Sequence, residues 1–550
     1  MYVPRFVSYG RVKAIQVIAI LGTFTMVLIL FRLHTTPPKH HSIYDYTEGK
    51  TSPWRDWDND TEARRPQEVK FLSHLISAHG LTREVPWYSR RIQTSFTAKS
   101  RMSMTQVPAK FLASDFTRAR IDDQQLELRS ERSTRMAINK AAKDERVNAT
   151  SLLFGISTTY ARLTYASNSL VKDWERWLTD GNGKSNGATL VLTLHNADEH
   201  EVRRVTTSLK AQGIDAAVLP SVVDGDATAR YAELLRILKD RNSELSAKGK
   251  AKKYIGLVDD DVFFPAMSSL MRKLSKFSPD KEYYIGAPSE SSDWTVEMDK
   301  TQLTYGGGAV FLTSPMVTKL TSLPCMDEKQ RREEPRRSSQ WDLFLYECIT
   351  THSDLNLQVL PSYYNPEDED VYGDHQISID GYGSGIQPLT LHHYKNSHRF
   401  DAGKGHLVTS VCGEDCFFQR FLFRDGWILV NGYTLSHYPD GVDALPVRGH
   451  PAQAETEGEP KSVVGHRLVV DRPDRPSDMK VIAWRGPKRT WRLLDAKITE
   501  SGEVWQAYVK RKGGSPFDDF DDRLPGDVVH SEEDHSDVDS VIVLIWEPPR

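Results

Sequence analysis

From Ser151 to Asp261 the chain alternates short apolar runs with amphipathic segments. That alternation restricts it to a sheet whose strands are joined through helices. Leu152 to Ile156 is an apolar run ending in Ser157-Thr158-Thr159, which predicts a strand and a turn. The next segment puts Trp174, Trp177 and Leu178 on one side of a helix. Thr189 to Leu194 is rich in β-formers and predicts a second strand, and Gly213 to Leu219 a third. Asp226 can cap a helix in which Tyr231, Leu234, Leu235 and Leu238 recur at i, i+3, i+4 and i+7. Tyr254 to Val258 then runs apolar into Asp259-Asp260-Asp261. This order of elements is that of an α/β domain, expected over residues 150–440.

Adjacent carboxylates at the end of a buried strand are costly. Like charges about 4 Å apart repel by about 4 kcal/mol at an effective dielectric of about 20. A divalent cation relieves that repulsion, and hard oxygen ligands suit Mg²⁺ or Mn²⁺. The carboxyl end of a strand in an open α/β sheet is also where ligands bind. A nucleotide diphosphate fits such a cation, which bridges the phosphates and neutralises charge on a leaving group. The plain alternative is a solvated acidic turn. The apolar flanks, Tyr254 to Val258 before and Val262-Phe263-Phe264 after, argue against it.

Three more segments carry chemistry. Gly306-Gly307-Gly308 enter the apolar run Ala309-Val310-Phe311-Leu312 and let a ligand approach backbone closely. Glycines also make plain bulges. Trp341-Asp342-Leu343-Phe344-Leu345-Tyr346-Glu347-Cys348 predicts a helix with Asp342 at its start. Asp342 is a candidate general base for an acceptor hydroxyl, or simply an acidic residue satisfying helix N-terminal amides. In Leu389-Thr390-Leu391-His392-His393-Tyr394 a neutral imidazole could complete a metal shell. On a strand the two histidines point to opposite faces, so at most one is a ligand.

Residues Ala14 to Phe31 contain no charged residue. A helix of that length spans about 27 Å, close to the hydrocarbon thickness of a bilayer. Arg5, Arg11 and Lys13 precede it, which predicts a cytosolic tail over 1–13, an anchor over 14–31 and a lumenal remainder. A cleaved signal peptide is the alternative, but no clear cleavage site follows. Residues 32–148 read as a stem, with a charged helix between Asp122 and Val147. Residues 441–465 read as a linker, and 466–550 as a small β-rich module with an acidic loop from Asp518 to Asp539. The charged run Asp327 to Arg337 reads as a solvated loop. Asn59 and Asn148 head glycosylation sequons. The 4 cysteines permit disulfides in an oxidising lumen. Cys412 and Cys416 could close a small loop, leaving Cys325 with Cys348, or some could stay thiols. With 71 Lys plus Arg against 75 Asp plus Glu, the net charge of −4 lacks the basic footprint of a nucleic-acid binder.

In this order, the four chemistry-bearing segments resemble the Fringe-like β1,3-glycosyltransferases, glycosyltransferase family 31 in the broad sense. Leu153-Phe154-Gly155-Ile156-Ser157-Thr158-Thr159 is similar to the family's first strand and nucleotide loop, and Val258-Asp259-Asp260-Asp261 to its DxD motif. Gly306 to Leu312 is similar to its glycine-rich strand, Asp342 with Cys348 to its acidic helix, and Leu391-His392 to its C-terminal metal histidine. The resemblance implies a GT-A fold, a UDP-sugar donor, Mn²⁺ (or Mg²⁺), and inverting transfer of a hexose to a glycan or glycoprotein. It also implies a single-pass type II protein of the Golgi membrane. Carried over, Asp261, Asp259 and His392 hold the metal, and Asp342 is the base. Thr158, Asp259, Asp260 and Gly306 to Gly308 face the nucleotide sugar. Trp341 departs from the family, standing where many relatives have a second acidic residue, and Leu194-His195-Asn196 ends a strand without one.

Two other functions fit parts of the pattern. One is an inert lumenal glycan-binding or chaperone-like module on the same fold. The other is a haloacid-dehalogenase-type phosphatase with Asp259 as nucleophile, although Phe263 occupies a place usually held by a small residue.

Overall fold

The computed structural model describes residues 66–97, 101–139, 147–164, 169–286 (without 222, 224 and 225), 308–327, 340–360, 387–392, 394, 400–446, 480–513 and 537–549, the short strands 369–372 and 375–378, and residues 383 and 385. The anchor expected over 14–31, the sequon at Asn59, Gly306, Gly307, His393 and most of the two expected charged loops lie outside these residues. Among the described residues no helix is long and apolar enough to cross a membrane.

The chain begins with helix α1 (Gln67–His79) and strands β1 (Glu84–Thr97), β2 (Met104–Val107), β3 (Thr117–Arg120) and β4 (Glu131–Asn139). Next come β5 (Leu152–Thr159), α2 (Tyr160–Thr164), α3 (Ser169–Leu178), β6 (Thr189–His195), α4 (Glu199–Ala211), β7 (Ala216–Ser221), α5 (Ala227–Ala247) and β8 (Tyr254–Val258). Then follow α6 (Met267–Leu274), β9 (Tyr284–Gly286), β10 (Ala309–Thr313), α7 (Ser314–Leu320), α8 (Trp341–His352) and β11 (Gln358–Val359). The rest comprises β12 (Glu369–Tyr372), β13 (His375–Ser378), α9 (Ala402–His406), α10 (Thr409–Cys412), β14 (Arg420–Phe423), β15 (Trp427–Val430), β16 (Thr434–His437), β17 (Val442–Pro446), β18 (Lys480–Trp484), β19 (Arg489–Ile498), β20 (Val504–Lys510) and β21 (Ser540–Glu547).

The expected α/β domain is built on a seven-stranded sheet ordered β11-β9-β10-β8-β5-β6-β7. Strands β5 to β8 run parallel, and β10 lies antiparallel between β8 and β9. Side-chain parity assigns the faces. Leu153, Val191, Ile255 and Leu257 pack with Tyr231, Leu234, Leu235 and Leu238 of α5, all buried. Leu152, Phe154, Ile156, Leu190 and Leu192 pack on the opposite side with Trp174, Trp177 and Leu178 of α3. Asp226 caps α5 as expected, its carboxylate accepting from the Ala229 amide at 3.0 Å. Gly155 lets that helix seat closely, since a Cβ there would meet Leu238 Cδ1 at 2.5 Å. From β5 the chain order runs outward through β6 and β7 on one side and to β8 on the other. The crevice at such a reversal opens at the carboxyl ends of β5 and β8.

The region expected to be a stem is different. Residues 67–139 form α1 and four strands, and β1 pairs in parallel with β21 from Trp87↔Val541 to Gln93↔Glu547. The second sheet runs β2-β14-β15-β16-β19-β20-β21-β1-β3, with β4 also on β1. It unites the supposed stem, the end of the supposed catalytic segment and the supposed C-terminal module. Residues 466–550 are therefore not a separate module, and a boundary at 440 would cut between β16 and β17 while leaving β16 hydrogen-bonded to β19. The expected linker begins with β17, which pairs with β18. In place of the charged helix expected between Asp122 and Val147, the described residues up to Asn139 form a turn followed by β4, stabilised by its long register with β1. One face of this sheet joins the core beneath β5 and β6; the other is covered by Phe71, Leu72 and Leu75 of α1 on Trp505, Val543 and Ile545.

Both disulfides are local. Cys325 bonds to Cys348, with Cα atoms 5.7 Å apart, and Cys412 to Cys416, at 5.9 Å. The first staples the segment after α7 to α8, the helix that carries Asp342.

Candidate functional site at the carboxyl ends of β5 and β8

All five residues of β8 are buried, and the strand ends where the Asp259 amide donates to Gly308 O at 2.9 Å. A turn follows. Val262 N donates to Asp259 O at 3.2 Å, and Trp174 Nε1 donates to Asp260 O at 3.1 Å. Phe263 and Leu391 then exchange two backbone hydrogen bonds, each 2.8 Å. This isolated bridge places His392, one residue past it, against Asp261, two residues before it. Tyr394 anchors the far side of the segment by donating its hydroxyl to Asp173 Oδ2 at 2.6 Å.

The three aspartates separate into two groups. His392 Nε2 lies 3.3 Å from Asp259 Oδ2 and 3.3 Å from Asp261 Oδ1. Asp260 turns away and is held by Thr158 Oγ1 and by both Nε and Nη2 of Arg162, the former at 2.6 Å. Arg162 also approaches Asp261 Oδ2 at 3.8 Å. Hydrogen bonding to Asp260 raises the Arg162 guanidinium pKa still further, so the guanidinium stays charged. The Thr158 hydroxyl is buried and committed to Asp260.

Asp259 is oriented from behind. Trp341 Nε1 donates to its Oδ1 at 2.7 Å, and the single proton of the Tyr231 hydroxyl is shared between Val258 O at 2.8 Å and the same Asp259 oxygen at 3.2 Å. The two rings stack, with centroids 4.3 Å apart and planes 7° from parallel. Burial, then the charges of Asp259 and Asp260, push the Tyr231 pKa well up, so it remains a donor. With Oδ1 held by the Trp341 indole, Oδ2 is the oxygen turned toward His392. The residue types expected at the site missed this support: Tyr231 read as helix core and Trp341 as a departure. Arg162 carried no sequence signal beyond its place four residues after Thr158.

Asp342 sits in the first turn of α8 and its Oδ1 accepts from the Leu343 amide at 2.9 Å. Burial raises its carboxyl pKa first, and the charge of Asp259 raises it further; the Leu343 amide and His392 oppose the shift. Asp342 thus shares an electrostatic neighbourhood with Asp259 and His392. Gly308 has φ +73°, and a Cβ there would lie 2.7 Å from His392 Cε1 and Nδ1. Its hydrogen atom leaves the ring its place.

His392 Nε2 stands 3.3 Å from a carboxylate oxygen of each of Asp259 and Asp261, although the three ligand atoms do not all lie within 4.8 Å of one another; a divalent cation with bonds of about 2.1 Å would draw the two carboxylates together. Two carboxylates and one imidazole are donor types that suit Mn²⁺ or Mg²⁺, and Asp259, Asp261 and His392 are the residues that could hold such an ion.

No protein-family model matches this chain, and no curated protein matches it. Among solved structures, the glycosyltransferase GlyE of Streptococcus pneumoniae TIGR4 aligns at 13% identity over 39% of this chain and 45% of its own length, with a TM-score of 0.24. This chain therefore spans less than half of GlyE. The inositol-1-phosphate CTP transferase of T. maritima aligns at 15% identity over 38% of this chain and 85% of its own, with a TM-score of 0.25. The mannosyltransferase PcManGT of Pyrobaculum calidifontis, solved with GDP-Man and Mn2+, aligns at 12% identity over 32% and 48%, with a TM-score of 0.22. At TM-scores this low the likenesses carry no argument about chemistry.

Proposed function

We propose that this chain is a metal-dependent glycosyltransferase. It moves a hexose (galactose, glucose or an N-acetylhexosamine) from a UDP-sugar to a hydroxyl of a glycan or glycoprotein. The transfer inverts the anomeric carbon and forms a β1,3 linkage. In this reading the protein works in the Golgi lumen, held by one N-terminal membrane helix. The observation that carries the reading is that His392 Nε2 lies 3.3 Å from both Asp259 Oδ2 and Asp261 Oδ1 just past the carboxyl end of β8, where the chain order of the sheet reverses.

Each residue then has a task. Asp259, Asp261 and His392 would hold Mn²⁺, which when bound supplies positive charge to the departing diphosphate. Arg162 adds a fixed positive charge at the same edge and neutralises Asp260. Trp341 and Tyr231 fix the rotamer of Asp259. Asp342 takes the proton of the acceptor hydroxyl as its oxygen bonds to the anomeric carbon and the bond from that carbon to the diphosphate breaks. A raised pKa makes Asp342 a stronger base than an ordinary carboxylate.

The test is UDP release by the purified full chain over a panel of UDP-sugars, with Mn²⁺ and with EDTA, beside Asp261→Ala. Release with one donor, lost in EDTA and in the variant, supports the reading and names the sugar. A folded chain that neither releases nor binds UDP in Mn²⁺ overturns it and leaves the inert module.

A further inference from the structure

We propose that His74, His79 and Asp495 form a zinc site that fastens the first helix to the large sheet. His74 Nε2 lies 2.9 Å and His79 Nε2 3.0 Å from the same oxygen, Asp495 Oδ2. The two imidazole nitrogens and the carboxylate oxygen all lie within 4.8 Å of one another, and no other such group of three occurs among the described residues. The ligand atoms of a tetrahedral zinc with bonds of about 2.0–2.1 Å stand about 3.3 Å apart, comparable with the 2.9 and 3.0 Å from Asp495 Oδ2 to the two imidazole nitrogens.

The surroundings prepare this carboxylate. The register of β19 against β20 shifts between Leu493 and Asp495, and such a bulge re-aims a side chain. Asp495 is thereby buried, with its side chain 1% exposed, facing the last turn of α1. Its other oxygen, Oδ1, accepts from Lys404 Nζ at 2.9 Å and from the Ala496 amide at 2.9 Å. Those donors orient the carboxylate so that Oδ2 meets both rings, as outer partners do around a ligating carboxylate. The histidines are partly exposed, His74 at 15% and His79 at 21%, so a water can complete four-coordination from the solvent side. Two imidazoles with one carboxylate favour zinc, whereas the two carboxylates and one imidazole of Asp259, Asp261 and His392 suit Mn²⁺ or Mg²⁺.

The ion would join positions 416 and 421 residues apart in sequence. The site is independent of the glycosyltransferase reading, and the experiment keeps the two apart. The purified full chain carrying Asp261→Ala, which removes a ligand of the other site, is equilibrated with Zn²⁺ and desalted, and zinc per folded chain is measured. About one zinc per chain is expected, with at least tenfold weaker retention in Asp261→Ala/His79→Asn. Replacement by Co²⁺ should give the intense visible bands of a four-coordinate centre, lost in the same variant. A folded Asp261→Ala chain that retains no zinc, or that keeps it undiminished after His79→Asn, overturns the proposal. Should His79→Asn not fold, the Co²⁺ spectrum of the parent decides: a weak six-coordinate spectrum overturns the site, and an intense one supports it.

Discussion

Gly308 leaves the space that the His392 ring fills: a Cβ at Gly308 would stand 2.7 Å from both Cε1 and Nδ1 of the imidazole. The same glycine has φ +73° and passes its carbonyl to the Asp259 amide at 2.9 Å. It therefore joins the strand carrying the glycines to the acidic turn while giving the histidine its place. Gly308→Ala should strain the backbone by about 1–2 kcal/mol and drive the ring away from Asp259 and Asp261. The expected outcome is at least tenfold weaker Mn²⁺-dependent UDP binding by a chain that still folds. Calorimetric titration of UDP in Mn²⁺ checks it, and unchanged affinity would remove His392 from the metal shell.

Trp341 separates orientation from packing. Trp341→Phe keeps a ring to stack on Tyr231 but loses the indole N–H that Asp259 Oδ1 accepts at 2.7 Å. Outer hydrogen bonds to ligating carboxylates change metal affinity by about tenfold or more. The Mn²⁺ concentration for half-maximal UDP release should rise about tenfold, with turnover at saturating Mn²⁺ changed far less. An equal loss at saturating Mn²⁺ would mean that the indole acts on something other than the metal shell.

The α/β half of the fold was legible because its signals are local. Strand β5 through the turn after β8 occupies one continuous stretch, and the α5 stripe from Tyr231 to Leu238 needs only its own periodicity. The large sheet hid because β1 satisfies its polar groups with residues more than 400 positions away. Arg91 reaches Glu503 at 2.7 Å and Glu547 at 3.4 Å, and Gln93 reaches Glu547 at 2.7 Å. Such a strand looks like charged spacer until its partners are known. Arg90 is buried in the same strand, donating to Lys110 O at 2.8 Å. At the site, residue types announced the aspartates, but their division did not show in spacing. Only the turn pinned by Trp174 sends Asp260 to Arg162 and leaves Asp259 and Asp261 facing His392.

Asp342 joins a pH dependence to a stability cost. Its folded pKa lies above the ordinary carboxylate range, through burial and then the charge of Asp259. A raised folded pKa means that the native state favours the proton. The associated stability is present at low pH and lost as pH rises through the folded pKa, where the base becomes ionised and active. Hexose transfer, read as UDP release, should therefore rise with pH through a limb above about 3.9. Asp342→Asn should lower turnover by about 10²–10⁴-fold while melting no earlier than the parent at neutral pH. A pH–rate profile and a thermal melt check both; a variant retaining turnover would move the base elsewhere.

His406 sets an acid limit on the fold next to the site. Its Nε2 donates to Pro265 O at 3.0 Å, four residues beyond Asp261, while Nδ1 accepts from Arg176 Nε at 3.3 Å. A guanidinium on Nδ1 leaves that nitrogen no room for a proton. Burial first, and then the Arg176 charge, push the His406 pKa down to about 3. The folded chain thus keeps this ring neutral, while the unfolded chain takes a proton below about pH 6.5. Between those values the unfolded state binds more protons, so stability falls as pH falls, by up to about 1.4 kcal/mol per pH unit from this group. Denaturant unfolding of the chain and of His406→Gln, each at pH 7 and pH 5, isolates the effect. The parent should lose about 2 kcal/mol more than the variant over that interval. Equal losses would mean that the ring is protonated in the folded state and that the Arg176 contact does not persist.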